Sequence, residues 1–261
     1  MYAVEYQKPK SLADAAAALA RTGGKPLAGG QSLVAAMKLR LAQPGTIVDL
    51  AGIPELAGIR KDGSAIVIGA MARHADVASS EEVKRAIPAL AALAEGIGDR
   101  QVRNMGTLGG SIANSDPAAD WPAALVALNA TVVTNKRRIA ASDFFKGMYE
   151  TALAADEIVT GVSFPIPKKA AYAKFPNPAS RFALVGVFVA KGPQGVRVAV
   201  TGAGPCVFRA TALEALLAKS WSAAALAGAT VSADGLNSDL HGSAEYRAAL
   251  IPVLAARAVG G

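Results

Sequence analysis

The stretch RQVRNMGTLGGSIANSDPAAD, Arg100–Asp120, decides how the chain is read. Glycines at 106, 109 and 110 permit positive φ or close backbone approach, and Thr107, Ser111 and Ser115 can donate hydrogen bonds. This is the composition of a loop that cradles phosphate; it is also that of a glycine-rich surface turn. Asp116 followed by Pro117 reads as an N-cap and first helical residue, with the helix running on through WPAALVALNA. On that reading Asp120 lies one turn inside the helix and is free for a ligand hydroxyl, unless both carboxylates simply cap and solvate the helix end. Exposed N–H groups running into a helix start favour an anion. The pair Arg100 and Arg103 can neutralise phosphate or bridge to Asp99, Asp116 or a partner.

Upstream, the segment Pro26–Pro44, PLAGGQSLVAAMKLRLAQP, holds a second Gly-Gly turn, Gly29-Gly30, opening into a helix with Leu33, Met37 and Leu41 along one face. A helix from Ser11 to Gly23-Gly24 precedes it and the strand-like GTIVDL follows, giving one small α/β unit. A second unit comprises the alternating run 63–77, a helical pattern over 80–98, the decisive loop, and strands within 130–145 and 156–167. Beyond Pro167 the pattern predicts antiparallel strands covered by helices at 211–218 and 243–259. The expected domains are 1–167, with subdomains of about 1–55 and 56–167, and 168–261.

Composition narrows the function. The chain has 261 residues, 52% apolar and 18% charged, enough for a sizeable core and more than one domain. No apolar run is long enough to span a bilayer, and MYAVEYQKPK does not read as a secretory signal, so the expected location is cytoplasmic. Cys206 is the only cysteine, which rules out an internal disulfide and a self-contained iron–sulfur cluster. His74 and His241 are too few and too far apart for structural zinc. His74 reads as a hydrogen-bonded structural residue, His241 as a residue that caps or orients the following helix, and Tyr246 and Arg247 as a helix face that holds the C-terminal domain together. The net charge of +7 is spread over scattered pairs and triplets, and aromatics are 5%, so nucleic acid is not the expected partner. Neither glycine turn fits G-x-G-x-x-G, G-x-x-x-x-G-K-[ST] or G-x-S-x-G. Two Gly-Gly turns, each followed by serine and a helix, instead suit a clamp on one diphosphate from two sides.

The ordered segments PLAGGQSLVAAMKLRLAQP, IGAMARHADV and GDRQVRNMGTLGGSIANSDPAADWPAAL resemble the FAD-binding medium subunit of molybdenum hydroxylases, the carbon monoxide dehydrogenase and xanthine dehydrogenase family. YAKFPNPASRFALVGV and HGSAEYRAALIPVLAARAV are similar to that subunit's C-terminal domain, so the resemblance runs nearly end to end. It implies an α+β fold: a two-lobed PCMH-type, vanillyl-alcohol oxidase-like FAD-binding domain, followed by a C-terminal α+β domain of the carbon monoxide dehydrogenase flavoprotein type. One departure is Ala72, where the family usually shows threonine.

By the same resemblance, Ala28, Gly29, Gly30, Gln31, Ser32 and Leu33 match the first pyrophosphate turn, and Thr107, Leu108, Gly109, Gly110 and Ser111 the second. Asn114 and Asp120 match polar contacts to the flavin cofactor, Ile158 an apolar contact near the isoalloxazine, and Lys174 a basic residue beside the cofactor. The cofactor implied is FAD, bound without a covalent link because neither turn holds histidine or cysteine. Molybdopterin and [2Fe-2S] clusters are implied on partners: an iron–sulfur small subunit and a molybdopterin large subunit, as a dimer of heterotrimers. The implied role is transfer of electrons from the clusters to FAD and on to an external acceptor. Substrate (carbon monoxide, a purine, an N-heteroaromatic, an aldehyde) and acceptor (quinone, NAD or another carrier) stay open. A cofactor-free assembly or binding module on the same fold is the alternative.

Overall fold

The computed structural model describes residues 1–260. The first 56 residues build a parallel sheet of order β1-β3-β2 from β1 (Glu5–Gln7), β2 (Lys25–Leu27) and β3 (Thr46–Asp49). Helix α1 (Leu12–Thr22) starts at Ser11, whose side chain accepts from the Asp14 N–H, and stops at Gly23 with φ +60°. Those are the start and stop expected for a serine N-cap and a left-handed glycine. Its Ala15, Ala18 and Leu19 pack with Val48, Leu50, Ile53 and Leu56. Helix α2 (Leu33–Lys38) links β2 to β3. Met37 is buried as expected, but Leu41 is not on its apolar face, because the helix ends at the Leu39 cap.

The second sheet, order β4-β5-β10-β6-β7, is antiparallel: β4 (Ile59–Asp62), β5 (Ala65–Gly69), β6 (Thr131–Thr134), β7 (Arg138–Ala140) and β10 (Val159–Pro165). Between β5 and β6 run α3 (His74–Ser79), α4 (Glu81–Ala86), α5 (Pro88–Glu95), α6 (Arg100–Met105), α7 (Leu108–Asn114) and α8 (Trp121–Ala127). The helical pattern over 80–98 divides at Pro88, which pushes Ile87 out of helical geometry to φ −143°, ψ 72°. The short helix α9 (Ala141–Phe144) and the hairpin β8 (Phe145–Gly147) and β9 (Glu150–Thr151) lead back to β10.

The C-terminal sheet, order β11-β12-β13-β14, comprises β11 (Lys169–Pro176), β12 (Ala183–Gly192), β13 (Gly195–Thr201) and β14 (Phe208–Arg209), covered by α10 (Thr211–Lys219) and α11 (Ala244–Gly260). Strand β12 is buried on both faces. Val185, Val187 and Val189 point to the cluster formed with α10 and α11, whereas Phe188 and Ala190 join the core of the preceding domain. The two-residue period of the strand thus binds two layers with one element. Arg247, buried in α11, donates to the Leu184 and Gly202 carbonyls and to both Asp239 oxygens, so it holds this domain together as expected. His241 is not the helix cap: the Ser243 hydroxyl accepts the Tyr246 N–H, while His241 sits beside Asn177.

Candidate functional site

The two glycine turns meet. The turn at Gly106–Ser111 hangs from the end of β5: His74 donates its N–H to Gly106 O at 3.0 Å, Leu108 to Ala72 O at 3.0 Å, and Gly109 to Ala70 O at 2.8 Å. Gly109 is required there because a Cβ would lie 2.5 Å from the Ala70 side chain. Against this turn lies Ala28–Ser32. A side chain on Gly29 would run into the Met105 carbonyl, and one on Gly110 would start 3.2 Å from the Ala28 methyl. Gly30 has φ +75°, which turns the chain from β2 into α2.

The two turns differ in what they offer. In the second, every N–H from Leu108 to Ser111 is already bonded: two to the strand end, Gly110 to the Thr107 hydroxyl at 3.1 Å, and Ser111 to Thr107 O at 3.0 Å. The expectation of exposed N–H groups there is corrected; Thr107, the N-cap of α7, and the strand end consume them. In the first turn the N–H groups of Gly29, Gly30, Gln31 and Ser32 have no acceptor among the described residues. They form the open donor run, at the positive end of α2 and with no carboxylate between Asp14 and Asp49. Such a run fits a diphosphate in both charge and hydrogen bonding. Thr107, Ser111 and Asn114 follow i, i+4, i+7 spacing on α7, with Ser111 and Asn114 half-buried. Leu108 is buried at the start of α7, and Leu33 is half-buried at the start of α2.

Asp120 occupies a different position from the one expected. Helix α8 begins at Trp121 with Pro122 in its first turn, and Asp116 instead closes a local turn by accepting the Ala118 N–H at 2.9 Å. A second proline five residues after Pro117 supplies the actual helix start. Asp120 is 3% exposed and not free: it accepts from the Tyr172 hydroxyl at 2.6 Å and from Lys174 Nζ at 2.9 Å. Lys174 also donates to Gly96 O at 2.9 Å. Burial drives the Asp120 carboxyl above its ordinary range, against the opposing pull of Lys174 and Tyr172. Burial, and then the Asp120 charge, push the Tyr172 phenol well above its own, so Tyr172 stays a donor. Tyr172 escaped the sequence reading; its signal is the i, i+2 spacing to Lys174 in β11, which puts both on one face.

Ile158 is buried with Leu50, Ile53, Leu56 and the half-buried Met71, its N–H bonded to Asn135 Oδ1. It stands next to the ladder in which Thr160 O accepts from Ala70 and Ala70 O accepts from Gly109. Among the described residues Arg103 makes no ion pair; its guanidinium donates to the Ile97 and Gly98 carbonyls at 2.9 and 3.0 Å. His74 is buried, with Nδ1 accepting the Trp121 indole N–H at 3.1 Å. Burial, with Arg103 adding to it, lowers its pKa to about 4, so it is neutral and carries its proton on Nε2. Among the described residues no cluster of His, Cys, Asp or Glu is placed to hold a metal ion, and no helix is long and apolar enough to cross a membrane.

Residues 2–167 match the FAD binding domain in molybdopterin dehydrogenase, and residues 170–260 the CO dehydrogenase flavoprotein C-terminal domain. The nicotine 6-hydroxylase medium subunit of Paenarthrobacter nicotinovorans is 38% identical over 98% of this chain and 96% of its own length. The carbon monoxide dehydrogenase medium chain of Hydrogenophaga pseudoflava is 37% identical, covering 98% of this chain and 95% of its own. A solved structure of carbon monoxide dehydrogenase from the same organism superposes with a TM-score of 0.89 at 36% identity, over 99% of this chain and 96% of that one. Full-length similarity in sequence and in fold, over the two turns just described, leads to one conclusion. The chain belongs to the family of FAD-binding medium subunits of molybdenum hydroxylases of the carbon monoxide dehydrogenase type.

Proposed function

We propose that the chain binds one FAD non-covalently between the two glycine turns and carries electrons from iron–sulfur clusters on a small partner subunit to an external acceptor. The observation that carries this reading is the run of N–H donors at Gly29–Ser32, held against the Thr107–Ser111 turn. In it, the first turn takes the pyrophosphate by backbone N–H groups, and Ser111 and Asn114 offer side-chain contacts from α7. FAD supplies the redox chemistry when bound, and the protein supplies binding, orientation and electrostatics. Asp120 and Lys174 act as a preset pair at the cofactor's edge, and Ile158 as an apolar wall. We read 1–167 as the FAD-binding domain, with its two lobes dividing near residue 55, and 168–261 as the C-terminal domain.

Molybdenum and iron–sulfur chemistry then reside on a molybdopterin large subunit and an iron–sulfur small subunit, assembled as a dimer of heterotrimers. A lone cysteine with no disulfide agrees with a reducing, cytoplasmic location.

The test is cofactor uptake. Purified protein should carry a yellow chromophore released by acid, and apoprotein should take up FAD at micromolar concentration. Gly110→Leu, whose side chain would start 2.9 Å from the Thr107 hydroxyl and 3.2 Å from Ala28, should abolish uptake while circular dichroism shows an intact fold. A colourless protein indifferent to FAD would leave the cofactor-free module standing instead.

A further inference from the structure

Asp120 is held by one of its two oxygens. The Tyr172 hydroxyl and Lys174 Nζ, at 2.6 and 2.9 Å, both donate to Oδ1, and Oδ2 has no partner among the described residues. No buried side-chain oxygen or nitrogen among those residues lacks a partner, so Oδ2 is where this 3% exposed residue reaches the surface. An ionised carboxylate accepts on both oxygens. Two donors converging on Oδ1 fix the rotation of the group and turn Oδ2 outward as an acceptor. Lys174, its side chain 10% exposed, supplies the counter-charge.

This arrangement depends on space as much as on donors. Tyr172 pairs with Phe188 across β11 and β12, and their ring centroids lie 6.0 Å apart. From there the phenol reaches over Gly186, the residue paired with Lys174. A Cβ on Gly186 would overlap the Tyr172 hydroxyl and lie 3.1 Å from the ring carbon that bears it, so a side chain there would push the hydroxyl off Asp120. A glycine inside the run ALVGVFVAKG weakens a strand unless another group must approach closely. Here that group is the hydroxyl. Packing against Phe188 alone would be served equally well by phenylalanine at 172, so the hydroxyl and the room made for it point to Asp120.

We propose that Tyr172 is a positioning residue for the cofactor: its hydroxyl, admitted by Gly186, orients Asp120 so that Oδ2 accepts from a hydroxyl or ring N–H of the bound flavin nucleotide. This rests on the FAD reading proposed above and extends it to two residues that act on the cofactor only through Asp120.

The test is a double-mutant cycle on FAD affinity with the full chain, comparing wild type, Tyr172→Phe, Asp120→Asn and the two changes together. Phenylalanine keeps the ring against Phe188 and removes only the donor. Titration followed by flavin fluorescence should give roughly tenfold weaker binding in Tyr172→Phe, as expected for losing one hydrogen bond to a charged group. Asparagine turns an amide N–H outward in place of the acceptor, so adding Tyr172→Phe to Asp120→Asn should weaken binding no further. Gly186→Ala, which keeps the tyrosine and displaces its hydroxyl, should reproduce the loss seen in Tyr172→Phe. A merely structural tyrosine would lower the melting temperature of the flavin-free chain equally in both backgrounds and leave the dissociation constant unmoved. Wild-type affinity in any of the single variants overturns the proposal. So do losses that add in the double variant, because Tyr172 would then act by a route other than Asp120. Failure of the FAD reading is separately visible, since the wild-type chain itself would then show no titration.

Discussion

The Trp121 indole can donate to His74 only while the imidazole is neutral, and that links one buried hydrogen bond to pH. The folded-state pKa is lowered to about 4 from an ordinary 6.5, so the unfolded chain binds more protons between those values. The contribution is fully present above pH 6.5 and is lost as pH falls toward 4, about 3 kcal/mol in all at 1.36 kcal/mol per unit. Urea midpoints followed by Trp121 fluorescence between pH 7 and 4 should record this fall, and His74→Gln should flatten it. An equal fall in the variant would remove His74 as the cause. The same scale governs the pair at Asp120. Replacing Lys174 with methionine leaves a buried carboxylate without its cation, which should cost about 3 kcal/mol. Asp120→Asn with Lys174→Met should cost less than the sum of the two single changes, since neither partner is then stranded. Strict additivity in denaturation would show that the two residues do not act as a pair.

At the level of elements, a glycine turn works only if its neighbour is equally close. Gly29→Ala places a methyl into the Met105 carbonyl, so the first turn must lift off α6 and α7. An overpacking cost of about 1–3 kcal/mol is expected, with flavin affinity reduced and helix content unchanged by circular dichroism. Unchanged titration with FAD would show that the packing of the turns does not matter for the cofactor. Both turns were legible in the sequence because close approach leaves a visible residue, glycine. The start of α1 was legible for a similar reason, a serine cap, whereas the start of α7 at Thr107 lay inside what reads as a loop. What stayed hidden depended on partners distant in sequence. Nothing near Asp120 announces Tyr172 and Lys174, more than fifty residues away in β11. Leu41 fits a helical stripe that the left-handed Arg40 ends too early, and no local signal distinguishes an arginine that will take a glycine's place.

For the whole molecule, the loop between α7 and α8 joins cofactor site and C-terminal sheet into one unit. The Thr201 hydroxyl donates to Ala119 O at 2.6 Å and to Pro117 O at 3.1 Å, and the Gly202 N–H reaches Pro117 O at 2.8 Å. Ala119 is the residue before Asp120, so the last turn of β13 fixes where that carboxylate points toward Tyr172 and Lys174 of β11. On the proposed reading the C-terminal domain therefore does more than cover a hydrophobic face; it would complete the cofactor site by supplying Lys174 and by anchoring the loop that carries Asp120. Thr201→Val keeps the side chain's shape and removes the donor from two carbonyls, which should lower stability by about 1–3 kcal/mol. Because the anchored loop carries Asp120, flavin affinity should fall with it, and Thr201→Ser, which retains the hydroxyl, should restore both. Saturating FAD should raise the melting temperature of wild type more than that of Thr201→Val, since ligand stabilisation scales with affinity. A valine variant that loses stability yet binds FAD as tightly as wild type would confine the C-terminal domain to a structural role and detach it from the cofactor site.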